Sequence, residues 1–71
     1  MDIGTVLNNL ECAGDTDKIS ILTNNGTILI NGDTVDLMER EDDNTIFISL
    51  KDEKVFIIDV NSIIAICIYE K

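Results

Sequence analysis

The stretch Ile46 to Lys71, IFISLKDEKVFIIDVNSIIAICIYEK, decides how the rest of the chain reads. It holds three apolar segments rich in Ile, Val and Phe. Lys51-Asp52-Glu53-Lys54 separates the first two, and Asn61-Ser62 separates the second from the third. Short runs of β-branched and aromatic residues with polar punctuation read as strands. The last run, Ile63-Ile64-Ala65-Ile66-Cys67-Ile68-Tyr69, is apolar on both alternating faces. A strand with one wet face alternates apolar and polar residues instead. Both faces of this strand are therefore expected to be covered, and 71 residues offer little to cover them with. A second copy of the chain is the expected source of the missing cover.

Seventy-one residues make one domain, spanning 1–71. At this size only about 60% of the unfolded surface is buried on folding, so one core gives marginal stability. Oligomerisation, metal or disulfides often supply the remainder. An apolar fraction of 45% with no Pro argues for a packed core rather than disorder. Five Lys or Arg stand against 14 Asp or Glu, giving a net charge of −9. Such a field repels phosphate backbones and anionic membranes. Lys18, Arg40, Lys51, Lys54 and Lys71 are scattered rather than gathered in a patch. With no His and no CxxC pair around Cys12 and Cys67, neither a zinc site nor another metal or cofactor is expected. A Cys12–Cys67 disulfide is open but not indicated. The N-terminus lacks a basic region and a long apolar run, and no stretch reaches the roughly 20 apolar residues of a membrane span. The expected location is cytoplasmic, which makes the sequon Asn25-Gly26-Thr27 coincidental.

Upstream, Asp2 is placed to cap a helix over about residues 3–12, where Ile3, Val6, Leu7 and Leu10 form one apolar stripe. Gly14 is a candidate stop. Asp15-Thr16-Asp17 reads as a polar turn. Its D-x-D spacing lacks the glycine and distal Glu of a calcium loop. Strands are expected over about 18–24, 27–38, 45–50, 54–60 and 63–70. Asn24-Asn25-Gly26 is a hairpin turn, and Gly32 marks a bend in one long second strand. Glu39 to Asn44, EREDDN, puts four carboxylates into five residues. It reads as a solvated turn that blocks edge pairing, with a divalent-cation or basic-partner site as the sharper alternative.

A short helix followed by five strongly bent antiparallel strands resembles the Sm-like family, to which bacterial Hfq belongs, and its SH3-like barrel. The stretch Ile19-Ser20-Ile21-Leu22-Thr23-Asn24-Asn25-Gly26 is similar to the family's first strand and glycine turn. Gly32 resembles the glycine of its bent second strand. Thr45 to Leu50 resembles the third strand, and Val60-Asn61-Ser62-Ile63-Ile64 falls at the turn between the last two. The resemblance implies a homo-oligomeric ring of about six or seven subunits, closed by a heterologous strand contact. It places Val55, Phe56, Ile57, Ile58, Ile63, Ile64, Ile66 and Ile68 at the interface. The family binds RNA through a Lys-His or Arg-Gly step in the last turn. Here that step is the neutral Val60-Asn61. Asn61, Lys51 and Lys54 are the candidate nucleic-acid contacts, and no aromatic residue precedes the third strand to stack a base.

An enzyme is not expected. The cysteines have no evident base, Ser20, Ser49 and Ser62 lack triad partners, and a phosphate loop is absent. Two expectations follow: an Sm-like oligomeric scaffold with an atypical RNA site, or an acidic structural or protein-interaction module, its partner a basic protein.

Overall fold

A computed structural model describes residues 2–14 and 17–69. The chain is mainly β, with one short helix and six strands in two antiparallel sheets. Helix α1 spans Ile3–Glu11, and the Asp2 carboxylate accepts from the Thr5 N–H at 3.3 Å, satisfying one orphan donor of the first turn. Ile3, Val6 and Leu10 are its buried stripe, and it packs on β3 and β4, strands described below.

Strands β1 (Lys18–Thr23) and β2 (Gly26–Asn31) form a hairpin closed by Asn24-Asn25. Gly26 has φ 137, a conformation open to glycine. A 3-10 turn, Gly32–Thr34, leads to β3 (Val35–Arg40). Then come β4 (Thr45–Leu50), β5 (Val55–Asp59), a second 3-10 turn at Val60–Ser62, and β6 (Ile63–Tyr69). Sheet A has the order β2-β1-β6 and sheet B the order β3-β4-β5. Among the described residues the chain passes between the sheets at the two 3-10 turns.

The expected second strand, 27–38, is divided. Gly32 donates its N–H to the Asp17 carbonyl at 2.8 Å, and a Cβ there would run into the Gly14 carbonyl. The stretch after the helix thus presses on the bend, and six strands result. The sheets are not closed into a barrel by strand pairing. Glu39 and Arg40 belong to β3, paired with Phe47 and Ile46, so the acidic loop itself is 41–44. Glu70, Lys71 and the expected turn at Asp15-Thr16 lie outside the described residues.

Alternation explains the core. Ile19, Ile21 and Ile30 of sheet A meet Ile46, Ile48 and Ile58 of sheet B, with Val60 and Ile63 at the second turn and the helix stripe beside them. Burial of these branched side chains contributes roughly 1.5–3 kcal/mol each. Ser20 is the buried polar side chain among the described residues, on the opposite face of β1 beside Leu29 and Cys67. Cys12 is exposed, Cys67 is half-buried, and both are free thiols.

Candidate functional site

The open strand edges and the second 3-10 turn are the features from which a candidate site is built. At that turn Asp59 organises the backbone. Its carboxylate accepts from the Asn61 N–H at 2.9 Å, and its carbonyl accepts from the Ser62 hydroxyl at 2.7 Å. The Val60 N–H donates to the Asn44 carbonyl at 2.8 Å, which ties the turn to loop 41–44. The result is an open cleft of about 440 Å³ lined by Asp42, Asp43, Asn44, Thr45, Asp59 and Asn61.

This corner is anionic. Arg40 reaches Asp43 at 2.7 Å and the Asp42 carbonyl at 3.2 Å. Asp42 accepts from the Asn44 N–H at 2.9 Å. That bond, with help from Thr45, holds the Asp42 carboxyl below the ordinary value of 3.8. Asn61 therefore stands, exposed, beside the carboxylates of Asp42, Asp43 and Asp59. Lys51 and Lys54 lie at the other end of the β4–β5 hairpin. Five or six strand residues separate them from Asn61, roughly 17–20 Å. The structure does not bring the three candidate nucleic-acid contacts together. Lys54 lies 3.9 Å from Asp52 instead.

The eight candidate interface residues divide by parity. Leu50 donates to the Lys54 carbonyl and Val60 to that of Asn44, which makes both hydrogen-bonded pairs of the β4–β5 ladder. Pairs 46/58 and 48/56 alternate with them and are bonded too. Val55, Ile57 and Asp59 consequently turn their N–H and C=O groups away from β4, toward an edge that no other strand occupies among the described residues. Their side chains are also exposed, Ile57 at 70%. Phe56 is half-buried and Ile58 belongs to the protomer's own core. On β6, Ile63 is core, and Ile66 and Ile68 are half-buried. Ile64 is 62% exposed because it is the extra residue of a bulge opposite Leu22/Thr23. The double cover expected for β6 is thus not supplied by the chain itself.

A second cleft, about 450 Å³, separates the start of β2 from the end of β5, with Thr23, Gly26, Ile28, Ile57, Asp59 and Ser62 among its lining residues. Sequence reasoning missed Leu29, which is 75% exposed on β2. The signal was present: a two-residue turn fixes strand parity, and parity puts Leu29 opposite the Ile28/Ile30 face. Among the described residues, no group of three or more His, Cys, Asp or Glu is placed to hold a metal ion, and no helix is long and apolar enough to cross a membrane.

Comparison of the chain with protein-family models, with curated proteins and with solved structures finds no match.

Proposed function

We propose that this chain is a non-enzymatic, self-assembling β scaffold of the Sm-like kind, in which β5 of one protomer pairs with β6 of the next. One observation carries the reading: two unpaired edge strands meet at the Val60–Ser62 turn, each with an exposed isoleucine, Ile57 and Ile64. An apolar edge with free main-chain groups is a template for another strand unless charge or a bulge blunts it. Only Lys54 and Asp59 flank the β5 edge, and β6 carries no charge from Ile63 to Tyr69. The order of elements supports the SH3-like reading, with one long bent strand corresponding to β2 and β3. A heterologous contact of this type closes into a ring when its rotation permits.

The acidic corner makes a protein-interaction role the better fit, because Asp42, Asp43 and Asp59 repel a phosphate chain at the place where the family holds RNA. A basic protein segment is the complementary ligand. Solution mass by light scattering tests the scaffold. The wild-type chain is expected to form an assembly of several protomers, and Ile57→Lys to dissolve the β5–β6 contact. A wild-type monomer, or an assembly indifferent to Ile57→Lys, would refute the reading. Titration with oligo-U and oligo-A at low salt tests the RNA alternative. Saturable binding abolished by Asn61→Ala would displace the protein-interaction role.

A further inference from the structure

Two edges, β2 and β3, remain after β5 and β6 are joined. Among the described residues strand β2 pairs only with β1. The two-residue turn closes on Thr23 and Gly26, so that pair is hydrogen-bonded, and 21/28 and 19/30 follow in alternation. Thr27, Leu29 and Asn31 therefore direct their main-chain groups outward, and all three side chains are exposed. Of these groups the Asn31 carbonyl is already used, accepting from the Thr34 hydroxyl at 2.6 Å. The edge has none of the usual guards. From Asn24 to Gly32 there is no charge and no Pro, whereas β3 carries Asp36, Glu39 and Arg40.

We infer that β2 is a self-pairing edge, on which a second copy of this chain adds its own β2 antiparallel about a two-fold axis at Leu29. Self-complementarity selects the occupant. Such an axis sets Leu29 against its own copy and Thr27 against Asn31, whose hydroxyl and amide are matched hydrogen-bonding groups. It sets Ile28 beside Ile30 on the inner face, covering the half-buried Ile28. Two copies each carrying −9 repel over most of their surface. This edge brings no charge of Gly26–Asn31 opposite a like charge. The same operation on β5 about Ile57 would set Val55 against Asp59. A six-stranded sheet results, β6-β1-β2-β2-β1-β6. The pairing uses a different edge from the β5–β6 contact, so each stands or falls alone.

Two experiments decide it. The first takes the chain with Cys12→Ser and Cys67→Ser, adds Leu29→Cys, and oxidises it mildly. Hydrogen-bonded antiparallel pairs have Cα atoms about 5.5 Å apart, within disulfide range. A covalent dimer should form rapidly, and at the exposed control position Asp36→Cys it should not. Equal rates at the two positions would overturn the pairing, as would a different protein occupying the edge. The second measures mass in Ile57→Lys, where the β5–β6 contact is broken. The pairing predicts two protomers of 7.9 kDa each, favoured by added salt. Adding Leu29→Lys should weaken the dimer at least ~10-fold by placing like charges opposite. A dimer of unchanged affinity would rule the β2 axis out.

Discussion

The chain crosses from one sheet to the other twice, at Gly32–Thr34 and at Val60–Ser62, by nearly the same turn. Both are single 3-10 turns between strand ends. In both a hydroxyl bonds back three residues, Thr34 to the Asn31 carbonyl and Ser62 to that of Asp59. In both the next strand's first N–H returns to the turn's first carbonyl. They differ in what presses on them. The first turn is overlaid by the backbone at Gly14 and Asp17, and its leading residue must be glycine. The second sinks Val60 into the core and leaves Asn61 exposed beside Asp42, Asp43 and Asp59. Equivalent geometry thus serves as a packed structural corner in one place and as a presented surface in the other.

Substitutions can break that contrast. Gly32→Ala should be the most damaging change, at about 3 kcal/mol, because the new Cβ meets backbone that cannot swing aside. Urea denaturation measures it, and a loss below about 1 kcal/mol would mean that the first corner yields as freely as a surface turn. Val60→Ala removes buried methyl groups from the second corner and should cost about 2 kcal/mol in the same assay. If the corners share one hydrogen-bonding logic, Thr34→Val and Ser62→Ala should each cost about 0.5–1 kcal/mol, and similarly. A large inequality would end the parallel. Asn61→Ala should change stability by less than about 0.5 kcal/mol and leave the mass of the proposed assembly unaltered.

The smallest effect concerns pH. Asp42 ionises below 3.8, chiefly through the Asn44 N–H. A folded value below the unfolded one gives a contribution that is complete above the unfolded pKa and lost as pH falls through the folded one. Carboxyl resonances followed by NMR should place the Asp42 midpoint below 3.8. A midpoint at or above that value would show that loop 41–44 does not hold the carboxylate as described.

Period-two alternation made β4 and β5 legible in the sequence, helical spacing did the same for the α1 stripe, and Ile46, Ile48, Val6 and Leu10 lie where those patterns put them. The break at Gly32 was not legible as a break. Its cause is a contact with Gly14 and Asp17, which local propensity does not encode. Ile58 and Ile63 were grouped with the candidate interface because an apolar residue reads alike whether its own chain or a neighbour buries it. The bulge that turns Ile64 outward depends on pairing with β1, some forty positions upstream. Charge resolved the corner only in three dimensions, once loop 41–44 was seen to sit against Asn61 rather than beside Lys51 and Lys54.

The pairing of β1 with β6 also governs the order in which the molecule can form. Strands β3, β4 and β5 join through adjacent hairpins, whose short loops close at little entropic cost. Strand β1 finds β2 at once but must wait for β6, across most of the chain. Until β6 docks, sheet A lacks a strand and β1 has an unpaired edge on that side. That interval is when the chain is most exposed to mispairing with its own copies, so the rate at which β6 arrives sets how cleanly it folds.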